Sequence, residues 1–120
     1  INKFGTYTVR AREKAEAEKL INDARLLDEL GCCGVVLEKI PASLATQVSK
    51  IVNMPTIGIG AGHETDGQVL VIDDMLGMDQ AFAPKFLRRY ANLAEIITDA
   101  IGQYVQDVKD VTFPNSEEEY

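Results

Sequence analysis

A single glutamate, Glu38, ends a short apolar run in the first half of the chain. The run from Cys32 to Leu37 shows no alternation of apolar and polar residues, which is typical of a strand buried on both faces of a parallel sheet. Such folds bind ligands at the carboxyl ends of their strands, and a partly buried carboxylate there can exchange a proton with a carbon acid. From position alone, a catalytic Glu38 and a structural salt bridge from Glu38 to Lys39 or a neighbouring strand's cation both stay open.

A second candidate is the glycine-rich stretch from Thr56 to Gly62. Glycines at the end of a strand let the backbone approach a ligand and can present N–H groups to an anion. Gly58, Gly60 and Gly62 are evenly spaced, however, and do not match the nucleotide-binding pattern of glycines. Tight packing of the sheet explains these small residues equally well.

The remaining polar candidates carry weaker signals. His63 is the only histidine and lies between glycines and carboxylates, where a solvated loop histidine is a simpler interpretation than a metal ligand. Asp73 and Asp74 follow an apolar run and could face the same site as Glu38, or cap a helix. Arg10 and Arg12, after Phe4-Gly5-Thr6-Tyr7, could offer cations over a site or could equally be plain surface residues. Lys85, Arg88 and Arg89 are interpreted as a solvated face or a subunit contact.

The apolar periodicity predicts the elements that position these residues. Apolar residues at steps of three and four predict helices over Arg12 to Leu30, Pro41 to about Val52, and Pro84 to about Val108. Unbroken apolar runs predict strands from Cys32 to Glu38 and from Pro55 to Gly60, and a third over Val69 to Ile72. Alternating helices and strands with short connections indicate parallel βαβ units. Residues 114–120, a segment with three consecutive glutamates, are predicted to be a disordered acidic tail.

Composition excludes several classes of protein. The formal charge of −7, from 19 acidic and 12 basic residues, disfavours nucleic acids and anionic membranes as partners. No run reaches the roughly 18 apolar residues of a membrane-spanning helix, which favours a cytoplasmic protein. The adjacent Cys32 and Cys33 are predicted to be reduced, small and buried.

Several sequence blocks together resemble the second half of the ketopantoate hydroxymethyltransferase family, and the resemblance covers nearly all of residues 1–113. Those blocks are Asn2-Lys3-Phe4-Gly5-Thr6-Tyr7-Thr8-Val9, Val35-Val36-Leu37-Glu38-Lys39-Ile40-Pro41, Ile57-Gly58-Ile59-Gly60-Ala61-Gly62, Asp66-Gly67-Gln68-Val69-Leu70-Val71 and Pro84-Lys85-Phe86. The resemblance implies a (β/α)8 TIM barrel of the phosphoenolpyruvate/pyruvate superfamily. Residues 1–113 would form its C-terminal half, with the sixth, seventh and eighth strands and the C-terminal helix.

The resemblance also implies an activity. A hydroxymethyl group would pass from 5,10-methylenetetrahydrofolate to 3-methyl-2-oxobutanoate in pantothenate biosynthesis, with Mg²⁺ chelating the keto acid. Glu38 matches the family's proton acceptor. The family is typically decameric, which implies a homo-oligomer. The residues that contact the folate are not identified by the resemblance.

The match is partial in one respect that bears on activity. In the family, the metal ligands and the substrate-binding side chains come from the first five strands, so no metal ligand is expected in this chain. A first residue of Ile1, in what reads as a loop, predicts a fragment that needs the N-terminal half of the barrel as its partner. Another keto-acid enzyme of the same superfamily and a non-catalytic half-barrel that serves in assembly remain alternatives.

Overall fold

The computed structural model describes residues 9–120, which divide into two compact units with the boundary after Leu70. The first unit contains helix α1 (Lys14–Glu29), strand β1 (Val35–Glu38), helix α2 (Ala42–Ile51), strand β2 (Thr56–Ile59) and strand β3 (Gly67–Gln68). The second contains the short helix α3 (Ile72–Met75) and the long helix α4 (Leu93–Lys109). Most of the Asn2 to Val9 sequence block, including Phe4 to Tyr7, lies outside the described residues.

The strands of the first unit form a parallel sheet in the order β1-β2-β3. Val36 is in register with Ile57, and Glu38 with Ile59, so these four side chains point to one face of the sheet. Leu37 and Gly58 share the opposite face, together with Thr56. The prediction of a parallel sheet with intervening helices is confirmed.

The hydrophobic core lies on the Leu37 face of the sheet. Leu37 is 4% exposed and packs in one cluster with Ala24 of α1 and with Leu44, Ala45 and Val48 of α2. Both helices of the first unit therefore cover the same face. Among the described residues of this unit, no helix covers the face of Val36 and Glu38.

The third strand lies earlier in the chain than predicted. It spans Gly67–Gln68 instead of Val69 to Ile72, and the pairing ends where the Val69 N–H donates to the Gly58 carbonyl, 3.0 Å away. Beyond that point β2 supplies no further partner, because it ends at Ile59 and Gly60 turns away with φ 65°. Ile72 belongs to α3 instead.

The last helix begins nine residues later than predicted, at Leu93 instead of Pro84. The Tyr90 N–H donates to the Met75 carbonyl at 2.8 Å, so it is not available for a helical hydrogen bond. The Leu76 and Gly77 carbonyls accept from the N–H groups of Leu93 and Ala94, which have no partner within the helix itself. Long-range hydrogen bonds of the second unit thus fix the start of α4.

Cys32 and Cys33 are free thiols, but Cys33 is exposed and Cys32 only partly buried, because β1 starts later, at Val35. The prediction that they are buried is wrong.

In the tail, Asn115 and Glu118 exchange two hydrogen bonds, from the Glu118 N–H to the Asn115 carbonyl and from the Asn115 N–H to the Glu118 carboxylate. Disorder of residues 114–120 stays a prediction.

Candidate active site

Glu38 is the last residue of β1, and its side chain lies on the face of the sheet opposite the helices. The side chain is exposed, and its carboxylate forms no hydrogen bond or ion pair with any residue from 9 to 120. A salt bridge to Lys39 is therefore not formed. Glu38 was expected to be partly buried, and within residues 9–120 this expectation is wrong. Its side chain is exposed because β1 is an edge strand of the described sheet.

Lys39 takes the chain out of the strand directly after Glu38. Its φ of 50° is in the left-handed region, which is uncommon for residues other than glycine. Its N–H donates to the Ile59 carbonyl at 2.9 Å, and its carbonyl accepts from the Arg10 N–H at 2.9 Å. The alternation of side chains along β1 therefore stops at Glu38. The backbone directly after Glu38 is fixed by hydrogen bonds to Ile59 on one side and to Arg10 on the other.

Residues 10 and 11 pass next to the end of β1 and are held there by Glu16 in the first turn of α1. One carboxylate oxygen of Glu16 accepts from the Ala11 N–H at 2.9 Å, and the other forms an ion pair with the Arg10 guanidinium. Arg10 and Glu38 both line a cleft of about 510 Å³ between α1 and β1. The sequence left a position over a site and a plain surface position open for both arginines; Arg10 lines the Glu38 cleft, and Arg12 is exposed.

The three glycines of the Thr56 to Gly62 stretch each have a structural reason. A Cβ on Gly58 would lie 2.7 Å from the Thr65 hydroxyl and 2.9 Å from Nε2 of Gln68, which cross the strand there. A Cβ on Gly62 would lie 2.5 Å from the Cβ of Ala42. Gly60 provides the positive φ that ends β2. Close packing at Gly58 and Gly62 and the backbone conformation at Gly60 agree with the packing alternative, and a ligand at this motif stays a prediction.

The connection from β2 to β3 is held by a network that the sequence did not predict. The Asp66 carboxylate accepts hydrogen bonds from the Thr56 N–H and hydroxyl, both at 2.8 Å. These bonds, the backbone one first, hold the pKa of Asp66 below its ordinary value. Ser49 of α2 lies 2.8 Å from the same hydroxyl and extends the network to the helix.

Of the other sequence candidates, His63 lies in the first unit, and Asp73, Asp74, Lys85, Arg88 and Arg89 lie in the second. His63 Nε2 lies 3.0 Å from the Glu64 carboxylate, and both side chains are exposed. Asp73 and Asp74 lie in α3, in the second unit. Arg89 donates to the carbonyls of Asp79, Gln80 and Phe82, which gives it a role in holding a loop. Lys85 and Arg88 are exposed side chains before α4.

The described residues do not form a metal-binding cluster. From residue 9 to residue 120, no three His, Cys, Asp or Glu side chains come together as they would around a cation. The helices in this range are also too short or too polar to cross a membrane.

Comparison with known proteins identifies the family of the chain. A family model described as ketopantoate hydroxymethyltransferase matches residues 1–116. The chain belongs to this family. Proteins named 3-methyl-2-oxobutanoate hydroxymethyltransferase match all 120 residues, with 64% identity in Bacteroides fragilis and Parabacteroides distasonis and 63% in Flavobacterium johnsoniae. The resemblance predicted from the sequence blocks is confirmed.

The match covers the whole of this chain but only part of each relative. The chain spans 44% of the length of the Bacteroides fragilis, Parabacteroides distasonis and Flavobacterium johnsoniae proteins. More than half of a ketopantoate hydroxymethyltransferase of that length is therefore not represented in these 120 residues.

Proposed function

We propose that this chain forms part of an enzyme that makes ketopantoate from 3-methyl-2-oxobutanoate, with Glu38 as the proton acceptor. Family membership and the names of the relatives support the activity. The observation that carries the residue assignment is the position of Glu38, at the carboxyl end of a parallel strand and on the face that the helices leave open.

We further propose that the sheet belongs to a (β/α)8 barrel, in which residues 1–113 supply the sixth to eighth strands and the C-terminal helix. A barrel places every helix outside and the opposite face of each strand inside. The common position of α1 and α2 on the Leu37 face supports this arrangement. Glu38, Val36, Ile57 and Ile59 would then face the interior of the barrel, with Glu38 at its catalytic end.

The proposed reaction requires a base that removes a proton from C3 of the substrate. Removal of the C3 proton of 3-methyl-2-oxobutanoate gives an enolate, whose C3 forms a bond to the methylene carbon supplied by 5,10-methylenetetrahydrofolate. Water provides the hydroxyl group, and tetrahydrofolate and ketopantoate are the products. The Glu38 carboxylate has no partner among residues 9–120, so both of its oxygens can accept a proton.

We assign the Mg²⁺ ligands and the substrate-binding side chains to the part of the relatives that this chain does not cover, as the family resemblance implies. Residues 9–120 bring together no three His, Cys, Asp or Glu side chains. Arg10 is engaged by Glu16 in the described structure and is not assigned to the substrate. The homo-oligomeric state and the cytoplasmic location stay predictions.

The proposal can be tested with a chimera in which this chain replaces the aligned 120 residues of the Bacteroides fragilis protein. The readout is deuterium exchange at C3 of 3-methyl-2-oxobutanoate with Mg²⁺, which reports proton removal without the folate. Glu38→Gln is expected to slow exchange by about 10²–10⁴-fold, the usual effect of losing a general base. Glu29→Gln, an exposed glutamate at the end of α1, is the matched control and should leave exchange unchanged.

Two results would overturn the assignment. If the chimera folds and binds the keto acid but does not exchange its C3 proton, another keto-acid chemistry has to be considered. If Glu38→Gln exchanges as fast as Glu29→Gln, a different residue is the proton acceptor.

A further inference from the structure

Two residues with left-handed backbone conformations meet beside the end of the strand that carries Glu38. Ala11 has a φ of 53° and Lys39 a φ of 50°. Residues other than glycine rarely adopt this conformation, which persists where the surrounding structure imposes it. Arg10, the residue before Ala11, donates its N–H to the Lys39 carbonyl at 2.9 Å. One backbone hydrogen bond therefore connects the two strained segments.

The left-handed conformation of Lys39 changes which side chain enters the core after Glu38. In a continued strand the core side chain after Leu37 would be that of Lys39, two residues on. Instead Ile40 is buried in the same cluster as Leu37 and Ala11. The Lys39 N–H donates to β2, and the Lys39 carbonyl accepts from Arg10, so the peptide groups on both sides of Lys39 are fixed. The direction of the Glu38 side chain therefore depends on the contact with Arg10.

Glu16 holds the other side of this contact. It lies in the first turn of α1, where a glutamate commonly accepts a hydrogen bond from the N–H of the N-cap residue. Its carboxylate instead accepts from the Ala11 N–H at 2.9 Å, two residues before the N-cap residue Glu13, and pairs with the Arg10 guanidinium. Glu16 thus binds the segment that contacts Lys39 instead of capping its own helix.

We propose that Glu16 is a positioning residue for Glu38. By accepting from the Ala11 N–H, Glu16 keeps Arg10 against the Lys39 carbonyl, and this contact holds the backbone that directs the Glu38 carboxylate. The inference rests on the proposed function, because it takes Glu38 as the proton acceptor. Displacement of a catalytic group by about 1 Å can slow a reaction about 10²-fold, so a small movement of this backbone has a measurable effect.

The alternative is that Glu16 only stabilises α1. A carboxylate in the first turn of a helix interacts favourably with the helix dipole. The two roles depend on different properties of the side chain. Stabilisation of the helix depends on negative charge, whereas the hydrogen bond to Ala11 depends on the reach of an acceptor oxygen. Glu16→Asp keeps the charge and shortens the side chain, and Glu16→Gln removes the charge and keeps the reach.

The test measures deuterium exchange at C3 of 3-methyl-2-oxobutanoate by the chimera of this chain with the Bacteroides fragilis protein. Glu16→Asp should slow exchange at saturating keto acid by about 10–10²-fold and leave the KM for the keto acid unchanged, because the substrate-binding side chains are assigned elsewhere. Glu16→Gln should stay within about fivefold of the unsubstituted chimera, since it loses only an exposed ion pair. Glu18→Asp, at a glutamate that pairs with Lys14 on the same helix, is the matched control and should leave exchange unchanged.

A double variant shows whether Glu16 acts through Glu38. Once Glu38→Gln is present, Glu16→Asp should slow the residual exchange no further, because the group that Glu16 positions has lost its function. A general loosening of the fold would slow the residual exchange as well. Thermal unfolding by circular dichroism measures whether each variant is folded at the temperature of the assay.

Four results would overturn the inference: Glu16→Asp exchanges as fast as Glu18→Asp, Glu16→Gln is slower than Glu16→Asp, the double variant is slower than Glu38→Gln alone, or Glu16→Asp is unfolded. The last three assign Glu16 to the stability of the fold. Failure of the proposed function gives a different result, because the unsubstituted chimera then shows no C3 exchange or Glu38→Gln leaves the exchange unchanged.

Discussion

Thr56 and Asp66 are joined by three hydrogen bonds across the start of β2 and β3. The Thr56 N–H and hydroxyl donate to one carboxylate oxygen at 2.8 Å, and the Asp66 N–H donates to the Thr56 hydroxyl oxygen at 3.3 Å. Because the carboxylate only accepts, the Thr56 hydroxyl proton is committed to it, and Ser49 must donate to Thr56 in the contact between their hydroxyls. The exposed Asp66 carboxylate thus accepts the hydrogen bonds of both the N–H and the hydroxyl of the fully buried Thr56.

The first prediction concerns the pH dependence of this link. The pKa of Asp66 is lowered in the folded chain, mainly by the Thr56 N–H, so the stability it contributes is present above the unfolded pKa of about 3.9 and is lost as the pH falls through the folded pKa. Asp66→Asn should lower Tm by a margin that is constant near neutral pH and shrinks below about pH 4. Thermal unfolding monitored by circular dichroism between pH 3 and pH 7 measures it.

The matched control for this charge is Asp99→Asn, at an exposed position on α4. It removes the same charge from the surface and should change Tm little at any pH. A margin for Asp66→Asn that does not vary with pH would contradict the assigned role of the carboxylate.

The second prediction concerns Asp28, which connects α1 to the turn before β2. Its carboxylate accepts from the N–H and the side-chain amide of Asn53 and from the N–H of Met54, at 2.9 to 3.0 Å. These bonds, with the Asn53 N–H first, lower the pKa of Asp28. Asp28→Ala should expose the Asn53 and Met54 amides, so their hydrogen exchange becomes much faster. Asp23→Ala, five residues earlier on α1, should leave both amides as they are.

The fold of the first unit could be predicted because its signals are local. Apolar steps of three and four gave α1 and α2 to within two residues at each end, and unbroken runs located the cores of β1 and β2. Position at a strand end also placed Glu38 where the structure has it. These features depend on neighbours in sequence, which a pattern can detect.

The missed features depend on distant partners. The Asp28 carboxylate meets Asn53 across 25 residues, and no pattern near either residue signals it. The start of α4 depends on the hydrogen bond from Tyr90 to Met75, and the end of β3 on where β2 stops. The apolar run Val69 to Ile72 had the composition of a strand, but composition does not supply the neighbouring strand on which pairing depends.

The third prediction uses a glycine inside α4. Gly102 lies in the exposed middle of the helix, and a Cβ there would meet no atom within 4 Å. Gly102→Ala should therefore stabilise α4 by about 0.5–1 kcal/mol, through the helix propensity of alanine and the reduced freedom of the unfolded chain. Hydrogen exchange of the α4 amides, measured by NMR, should slow by a corresponding factor. Unchanged or faster exchange would contradict the open surroundings that the structure gives this glycine.

The fourth prediction separates backbone strain from close packing at two glycines of the first unit. Gly31 and Gly62 have similar positive φ values, 77° and 84°, but a Cβ would meet nothing within 4 Å at Gly31 and would lie 2.5 Å from the Ala42 Cβ at Gly62. Gly31→Ala should cost about 1–2 kcal/mol, from the left-handed backbone alone. Gly62→Ala should cost about 1–3 kcal/mol more, the usual range for overpacking, because Gly62 packs against Ala42, the first residue of α2. Urea unfolding of both variants measures the difference. Equal costs would mean that the loop can move away from α2, and the close approach would then not be the reason for a glycine at position 62.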